Sequence, residues 1–570
     1  MLRKASVFLC LCLYLLVATT GAFAAERPNV PARKNYKKAT ALLEHFIQRE
    51  LQDKKLPAMS VALVDGNQIV WAQGFGFADP EKKIIATAQT VYRVGSVSKL
   101  FTDIGIMQLV EQGKINLDAP VSTYLEDFKP ANQFAKPITL RQLMSHRAGL
   151  LREPIAGHYF DDRQVSLADT VQSLNGRELI YEPEQRVKYS NAGLAVVGYA
   201  LETVAKQPFT DRVQSAVLAP LGMSSSSFEL EPRLQQALAK AFIWTYDGRV
   251  FPAPTFEPGM SPAGNLYSTV LDLGRFMIAL SKDGRGVGSP VLKADTLAQM
   301  WQRQFPNGEP GNFGIGFMLG SLDGHRVVGH GGAVYGFATE LEFLPDEKLG
   351  AVAVTTMDSA NGVTKHVVQE ALRLMLEAKS GKALHAIPAT EPVSAELIRK
   401  VAGRYGDGDK AVDLIQRGNE LYLQRCSGGT QMRLRRLGDD LVTDDRLSWG
   451  LRISLLDGGI KVGDEILKAT AVPKGTRLPV EFAGLVGEYG WDYNILYIIE
   501  REGRLMSLIE WYEFEPLEQL SRDVFRYPRR GLYDNEKIVF TRGADGRATQ
   551  VEVGGVVFKR RNNETVRWAP

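Results

Sequence analysis

Residues 96–99 read Ser-Val-Ser-Lys and begin an apolar stretch that extends to about Gly113. Its spacing predicts a helix that starts near Ser96 and stops at that glycine. Residues three apart share a helix face, which brings the Ser96 hydroxyl beside the Lys99 amine. A serine hydroxyl is a poor nucleophile without an adjacent base. Burial and the positive end of a helix both disfavour a charged amine, so Lys99 is a candidate base near neutral pH.

A second motif, Tyr189-Ser190-Asn191, precedes another apolar helical stretch. Its tyrosine can relay a proton, and the amide of Asn191 can bond both a lysine and a substrate carbonyl. The alternative is a tyrosine that packs beside an asparagine helix cap. The motif therefore acquires chemical meaning only together with Ser96 and Lys99, because a lone Ser-x-x-Lys also arises by chance.

A third motif, His330-Gly331-Gly332-Ala333, ends a predicted strand. Its glycines allow another backbone to approach closely. An edge strand here can offer free N–H groups, and those of Ala333 and Ser96 together would form an oxyanion hole. The alternative is a glycine-rich turn in which His330 is merely hydrogen-bonded.

In this order, the three motifs resemble those of the serine β-lactamase and penicillin-binding-protein superfamily. The resemblance covers about residues 40–380. It is closest to class C β-lactamases, D-aminopeptidases, D-Ala-D-Ala carboxypeptidases of that branch and β-lactamase-fold esterases. Further segments similar to that family are residues 143–150 (LMSHRAGL), 220–223 (PLGM), 263–269 (AGNLYST) and 314–317 (GIGF).

The resemblance implies roles for the motif residues. Ser96 would form the acyl-enzyme, and Lys99 and Tyr189 would share general-base and general-acid duty. Binding and oxyanion stabilisation would fall to Asn191, His330, Gly332 and Ala333. The family's third motif is usually Lys-Thr-Gly, whereas this chain has His330-Gly331-Gly332. The change removes a cation and a hydroxyl that grip a carboxylate, which disfavours β-lactams and favours esters, amides or D-peptides.

The pattern of apolar runs predicts an α/β (α+β) fold with one antiparallel sheet built from both ends of the first region. Helices flank this sheet, and a helical insert fills the middle. The expected units are a signal peptide (1–24), a β-lactamase-like hydrolase domain (25–380), a linker (381–392) and two β-barrel-like units (393–475 and 476–570). The β-rich region has an internal repeat of roughly 80 residues, too long for a solenoid. Its aromatic residues are expected in the barrel cores: Trp491, Tyr493, Tyr497, Trp511 and Tyr512.

The composition of the 570 residues, 45% hydrophobic with a net charge of +3, is that of a globular protein without a strong basic field. Nucleic acid is therefore not an expected partner. Arg3 and Lys4, an apolar run and Ala22-Phe23-Ala24 form a signal-peptide pattern, which predicts secretion to the periplasm or outside the cell. The apolar run is shorter than the roughly 20 residues that a bilayer needs, and no span is expected after signal removal.

The predicted function is hydrolysis of an amide or ester by a secreted serine enzyme, on a small-molecule or peptide substrate that is a candidate for cell-wall origin. One alternative is a non-catalytic binder of peptidoglycan or peptide stems that uses the same cleft. A metallohydrolase is a weaker alternative, because the seven histidines show no H-x-H or H-E-x-x-H spacing. No cofactor or metal is expected, and the sequence does not set the oligomeric state.

Overall fold

A computed structural model describes residues 29–246, 248–286, 290–472, 478–509 and 513–562. The predicted signal peptide lies outside these residues, as do Trp511 and Tyr512. Within the described ranges, helices long and apolar enough to cross a bilayer are absent.

The α-helices concentrate in the first 401 residues. They are α1 Lys37–Lys54, α2 Ser98–Glu111, α3 Leu140–Met144, α4 Leu167–Gln172, α5 Asn191–Ala205, α6 Phe209–Val213, α7 Ala219–Leu221, α8 Pro232–Gln235, α9 Ser261–Gly264, α10 Val270–Ser281, α11 Ala294–Met300, α12 Asn361–Ser380 and α13 Ala395–Val401.

The strands of the first region are β1 Ala58–Asp65, β2 Gln68–Asp79, β3 Ile84–Ile85, β4 Tyr92–Arg93, β5 Phe242–Trp244, β6 Val250–Pro252, β7 Tyr267–Ser268, β8 Met318–Leu322, β9 His325–Val334, β10 Phe337–Leu344 and β11 Leu349–Thr355. Seven of them form one antiparallel sheet in the order β3-β2-β1-β11-β10-β9-β8. Strands from both ends of the region meet where β1 pairs with β11, and α2–α11 lie between them in sequence. The predicted fold class is thus confirmed.

Two apolar cores hold the sheet between helices. Strand β1 alternates its faces, so Met59 packs with α1 and α12 while Ala62 packs with α2 and α10. Alternate residues of a strand point to opposite faces, and because both faces are covered, β1 is buried from Ala58 to Val64. Thr139 begins α3 with the predicted capping box, in which Thr139 and Gln142 bond each other's backbone N–H.

The third motif forms the end of a strand, as predicted. Strand β9 includes His330 and both following glycines and ends at Val334. Pairing with β10 carries it on, with Gly332 opposite Thr339. Strand β8 pairs only with residues 325–329, so the other side of residues 330–334 is left as a free edge, as predicted.

The C-terminal region consists of two β-rich parts. The first is a closed barrel of β12 Gly403–Tyr405, β13 Val412–Arg417, β14 Glu420–Arg425, β16 Met432–Leu437, β17 Asp440–Asp444, β18 Trp449–Leu456, β19 Gly459–Val462 and β20 Glu465–Thr470. The second contains two five-stranded sheets, to which β15 Gly429–Thr430 also contributes. Its strands are β21 Gly487–Trp491, β22 Asn494–Arg501, β23 Arg504–Ile509, β24 Glu513–Pro516, β25 Glu518–Ser521, β26 Val524–Arg526, β27 Lys537–Arg542, β28 Ala548–Val553 and β29 Val556–Lys559.

The two parts share local features at the positions of the sequence repeat. Tyr405 and Tyr489 each donate a hydrogen bond to the carbonyl four residues upstream, at 2.7 and 2.6 Å. The hairpin that joins β13 to β14 and the one that joins β22 to β23 fall at equivalent places. The two parts are therefore similar in local structure as well as in sequence.

Two aromatic residues of the second part do not lie in its core as expected but at its contact with the first region. Trp491 stacks on Phe160 with ring centroids 5.6 Å apart. Tyr493 donates a hydrogen bond to the carbonyl of Phe160 at 3.2 Å. Tyr497 is buried, and its hydroxyl oxygen accepts a hydrogen bond from Arg249 of the first region at 3.2 Å. The second β-rich part therefore packs directly on the region that carries the three motifs.

Candidate active site

Ser96 lies in a short 3₁₀ turn, Gly95–Val97, that leads into α2. Gly95 has φ +56°, and a Cβ there would lie 2.6 Å from the backbone nitrogen of Ala333. Only glycine permits this conformation and this close approach together. The turn and β9 are therefore pressed against each other, and Ser96 is partly exposed at the junction.

The three predicted catalytic side chains converge on one point. The Oγ of Ser96 lies 2.9 Å from Nζ of Lys99 and 2.8 Å from the hydroxyl oxygen of Tyr189. Lys99 and Ser96 meet because they are three residues apart at the start of a helix. Tyr189 arrives from the loop just before α5, 93 residues away. The alternative of a tyrosine that merely packs beside a helix cap does not fit this geometry.

Lys99 is buried and held by two fixed acceptors. Its Nζ donates to Oδ1 of Asn191 at 2.9 Å and to the carbonyl oxygen of Ala263 at 2.6 Å. Burial lowers the pKa of Lys99 to about 7, with a further lowering by the positive charge of Arg152. At neutral pH a large fraction of the amine is therefore unprotonated.

Tyr189 is fixed by the residues around it. Its ring stacks on His146, with centroids 4.2 Å apart. Nδ1 of His146 accepts the backbone N–H of Ser190 at 3.2 Å, so this histidine supports the loop. Ser190, and not Asn191, caps α5 through a bond from the N–H of Gly193. Burial raises the pKa of Tyr189 to about 12, so its phenol stays protonated.

The third motif lies along the free edge of β9, beside Ser96. A Cβ on Gly332 would lie 2.0 Å from the carbonyl oxygen of Val94 and 3.2 Å from the nitrogen of Ser96. The side chain of Asn361, at the start of α12, donates to the carbonyl of Gly332 at 2.9 Å. Together these contacts place the backbone at Ala333 next to the nucleophile.

His330 is buried and uncharged. Burial lowers its pKa to about 3, and the nearby Lys99 contributes to the lowering. Its Nδ1 lies 2.5 Å from the carbonyl of Gly331. A neutral imidazole at this position supplies no fixed positive charge for a carboxylate, in agreement with the expectation drawn from the motif.

Two charged residues of the site, Arg152 and Glu153, were not predicted from the sequence. Oε1 of Glu153 accepts from Nδ2 of Asn191 at 2.6 Å, and Arg152 pairs with Glu153 at 3.5 Å. The guanidinium carbon of Arg152 also lies 5.7 Å from the centre of the Tyr189 ring. The only signal in the sequence was a charged pair directly after the apolar Leu150-Leu151, which is also typical of a surface loop.

These residues line a cleft of about 290 Å³. The described lining comprises Ser96, Arg152, Tyr159, Tyr189, Asn191, Met318, His330, Gly331, Gly332, Ala333, Glu340, Asp358, Ser359, Asn361, Lys365, Asn494 and Leu532. All seven predicted site residues are thus accounted for: six line the cleft, and Lys99 lies buried behind Ser96. Two lining residues, Asn494 and Leu532, come from the second C-terminal part.

Comparisons with known proteins agree with this architecture. Residues 43–372 match the family model described as Beta-lactamase. Protein flp of Staphylococcus aureus strain N315 is 23% identical over 320 residues, which cover 56% of this chain and 63% of that protein. The chain thus spans somewhat less than two thirds of the length of this relative.

Two solved structures share the fold. The octameric penicillin-binding protein homologue from Pyrococcus abyssi is 22% identical, with a TM-score of 0.54, and the match covers 83% of this chain and 99% of that one. The D-amino acid amidase from Ochrobactrum anthropi SV3 is 22% identical, with a TM-score of 0.51, over 60% of this chain and 99% of that one. At these identities the likeness concerns the fold.

Proposed function

Because the chain belongs to the Beta-lactamase family, we propose that it is a serine hydrolase that forms an acyl-enzyme on Ser96. The observation that carries the proposal is the meeting of Ser96 Oγ with Lys99 Nζ and the Tyr189 hydroxyl at the wall of a cleft. A nucleophile, a base that is half unprotonated near pH 7 and a protonated acid are the groups that acyl transfer needs.

The contacts of Lys99 support its role as the base. A neutral amine has two N–H groups and one lone pair. Asn191 and Ala263 accept the two N–H groups, which leaves the lone pair facing Ser96 Oγ. Lys99 can then take the serine proton while Oγ attacks the substrate carbonyl.

The remaining steps use the edge of β9 and Tyr189. The N–H groups of Ser96 and Ala333 would bind the oxyanion of the tetrahedral intermediate. The phenol of Tyr189 would donate a proton to the leaving amine or alcohol and recover it through Lys99. Water then attacks the acyl-enzyme with the same pair taking its proton, which restores Ser96.

The substrate class that we propose is an ester or an amide of a small acyl group, with D-amino-acid amides and peptides of cell-wall origin as the first candidates. The cleft has a volume of about 290 Å³, and Asn494 and Leu532 form part of its lining. His330 is neutral, so a carboxylate beside β9 would lack the cation that the usual third motif provides. β-Lactams are therefore expected to be poor substrates.

We further propose that the protein is secreted after cleavage of residues 1–24. The support is the charged start, the apolar run and the Ala-x-Ala pattern of the sequence. Amino-terminal sequencing of the exported protein should begin at Ala25, and a chain that retains residue 1 after export would refute the proposal.

A fluorophosphonate probe tests the hydrolase assignment directly. The wild-type protein should be labelled on Ser96, and Ser96→Ala should abolish the label. Ser380→Ala is the control, since this serine lies at the far end of α12 and its hydroxyl bonds only to backbone carbonyls; it should be labelled normally. Saturable binding of peptide stems without labelling or turnover would favour a non-catalytic binder instead.

The substrate class needs a second measurement. Nitrocefin, p-nitrophenyl butyrate and D-Ala-p-nitroanilide represent β-lactams, esters and D-amino-acid amides. We expect the last two to be cleaved faster than nitrocefin. The opposite order would refute the argument from the neutral His330.

A further inference from the structure

The second C-terminal part reaches the catalytic loop through a short segment between β26 and β27, residues 532–536, here called the docking segment. The hydroxyl of Tyr181 donates to Oδ1 of Asp534 at 2.5 Å. Nζ of Lys188 donates to Oε1 of Glu536, also at 2.5 Å. Tyr181 and Lys188 lie on the loop that ends at Tyr189, so this segment contacts the loop on which the catalytic phenol is carried.

The Lys188–Glu536 pair is sealed from water. The side chains of both residues are 1% exposed. Within the described residues, Lys188 forms no other ion pair. Removing one partner of such a pair leaves an uncompensated buried charge, which is far more costly than losing a surface pair. The loop would have to shift to let water reach the remaining charge.

The same carboxylate oxygen also binds a second part of the site. Oε1 of Glu536 accepts the backbone N–H of Arg152 at 2.8 Å. The carbonyl of Arg152 accepts the N–H groups of Asn191 and Ala192, at 2.8 and 3.0 Å. One atom of the docking segment therefore ties together the Arg152 backbone, the start of α5 and the residue before Tyr189.

We propose that Glu536 is a positioning residue for Tyr189, so that the second C-terminal part completes the active site instead of merely being attached to it. The inference rests on the proposed serine-hydrolase function. Glu536 touches neither substrate nor the reacting atoms; it acts by fixing Lys188 and the Arg152 backbone. A displacement of about 1 Å in a catalytic group can cost about 100-fold in rate, so loss of this anchor should be visible in kcat.

The test is Glu536→Gln in the full-length protein. Glutamine keeps the shape and can still accept from Arg152, but it removes the charge that balances Lys188. We expect the rate of fluorophosphonate labelling and kcat for p-nitrophenyl butyrate to fall about 10- to 100-fold, with KM changed by less than about threefold. Glu518→Gln, which breaks the exposed pair with Arg526 in the same part, is the matched control and should behave as wild type.

A double-variant cycle separates positioning from general damage. Lys188→Met should show the same loss. The double variant should be no worse than either single variant, because the two changes remove the same interaction and together leave no uncompensated buried charge. If the double variant instead shows the product of the two single losses in kcat, the two residues act independently and the proposal is wrong. A folded Glu536→Gln protein that is labelled within twofold of the wild-type rate would also overturn it.

If Glu536→Gln does not fold, Lys188→Met alone tests the same pair, because it removes the amine that Glu536 binds. We expect kcat to fall about 10- to 100-fold. An unchanged kcat would then refute the positioning role. Failure of the proposed function is distinguishable, because in that case the wild-type protein itself would remain unlabelled at Ser96.

Discussion

Replacing Glu153 by glutamine tests how the protein sets the protonation of Lys99. Burial and Arg152 lower the pKa of Lys99, to about 7, whereas Glu153 and Asp103 raise it. If the unprotonated amine is the base, activity should rise with pH through an acidic limb near pH 7. At pH 5 only about 1% of the amine is unprotonated, and activity should be about 1% of its maximum.

The size of the change follows from the contacts. A single amide, that of Asn191, separates Glu153 from Lys99. This places the two charges about 7 Å apart, and at an effective dielectric constant of about 20 their attraction is about 2.4 kcal/mol. Since about 1.4 kcal/mol corresponds to one pH unit, losing the carboxylate should move the acidic limb down by about 1.7 pH units. The direction is down because the carboxylate favours the charged amine.

The assay is the initial rate of fluorophosphonate labelling between pH 4.5 and 9.5. Glutamine can still accept from Asn191, so the geometry of the site should be preserved. Glu178→Gln, an exposed change on a neighbouring stretch, should leave the limb where it is. A limb that stays in place or moves to higher pH in Glu153→Gln would refute the reasoning, because it would mean that Lys99 is not the titrating base.

Three further predictions concern single positions. Tyr189→Phe should lower kcat for p-nitrophenyl butyrate about 100-fold or more while the protein still folds, because only the proton relay is lost; a rate near wild type would argue against that role. Gly332→Ala should reduce labelling of Ser96 about 100-fold, since its Cβ would lie 2.0 Å from the carbonyl oxygen of Val94. Gly331→Ala should be mild, because the atom nearest to its Cβ would be the end of the Glu340 side chain at 3.0 Å. Asp103→Asn should stabilise the protein by about 1–3 kcal/mol at pH 8 and less at pH 5 in urea titrations. Burial raises the pKa of Asp103 well above its usual value, so folding takes up a proton and the aspartate costs more as pH rises above about 4; equal gains at both pH values would contradict this.

The contact between Ser96 and Lys99 could be predicted because it is local in sequence. The two residues are three apart where the 3₁₀ turn leads into α2, and the capping box at Thr139 is likewise a short-range pattern. Tyr189 could be found only by its motif and its order in the chain. The sheet built from both ends of the region followed from strand-like runs on either side of a helical middle.

Other features depend on tertiary contacts that no local pattern reveals. Glu536 lies 348 residues from Lys188. The sequence alone does not distinguish a buried glutamate from an exposed one. Arg152 and Glu153 occur in a loop and have no periodicity. The continuation of β9 through two glycines also contradicts their usual weakness in strands, since pairing with β10 outweighs that local preference.

Burial first, and the positive charge of Arg152 second, lower the pKa of Lys99 at a site that has His330 in place of the lysine of the usual third motif. A lysine on β9 would repel the charged form of Lys99 and so favour the neutral amine. His330 cannot do this, because burial and Lys99 keep it uncharged. Arg152 supplies that repulsion instead, and its backbone N–H is held by Glu536 of the docking segment. Residues 330–334 of β9 therefore carry no positive charge, and a carboxylate at this strand edge has no cation on the strand itself to bind it.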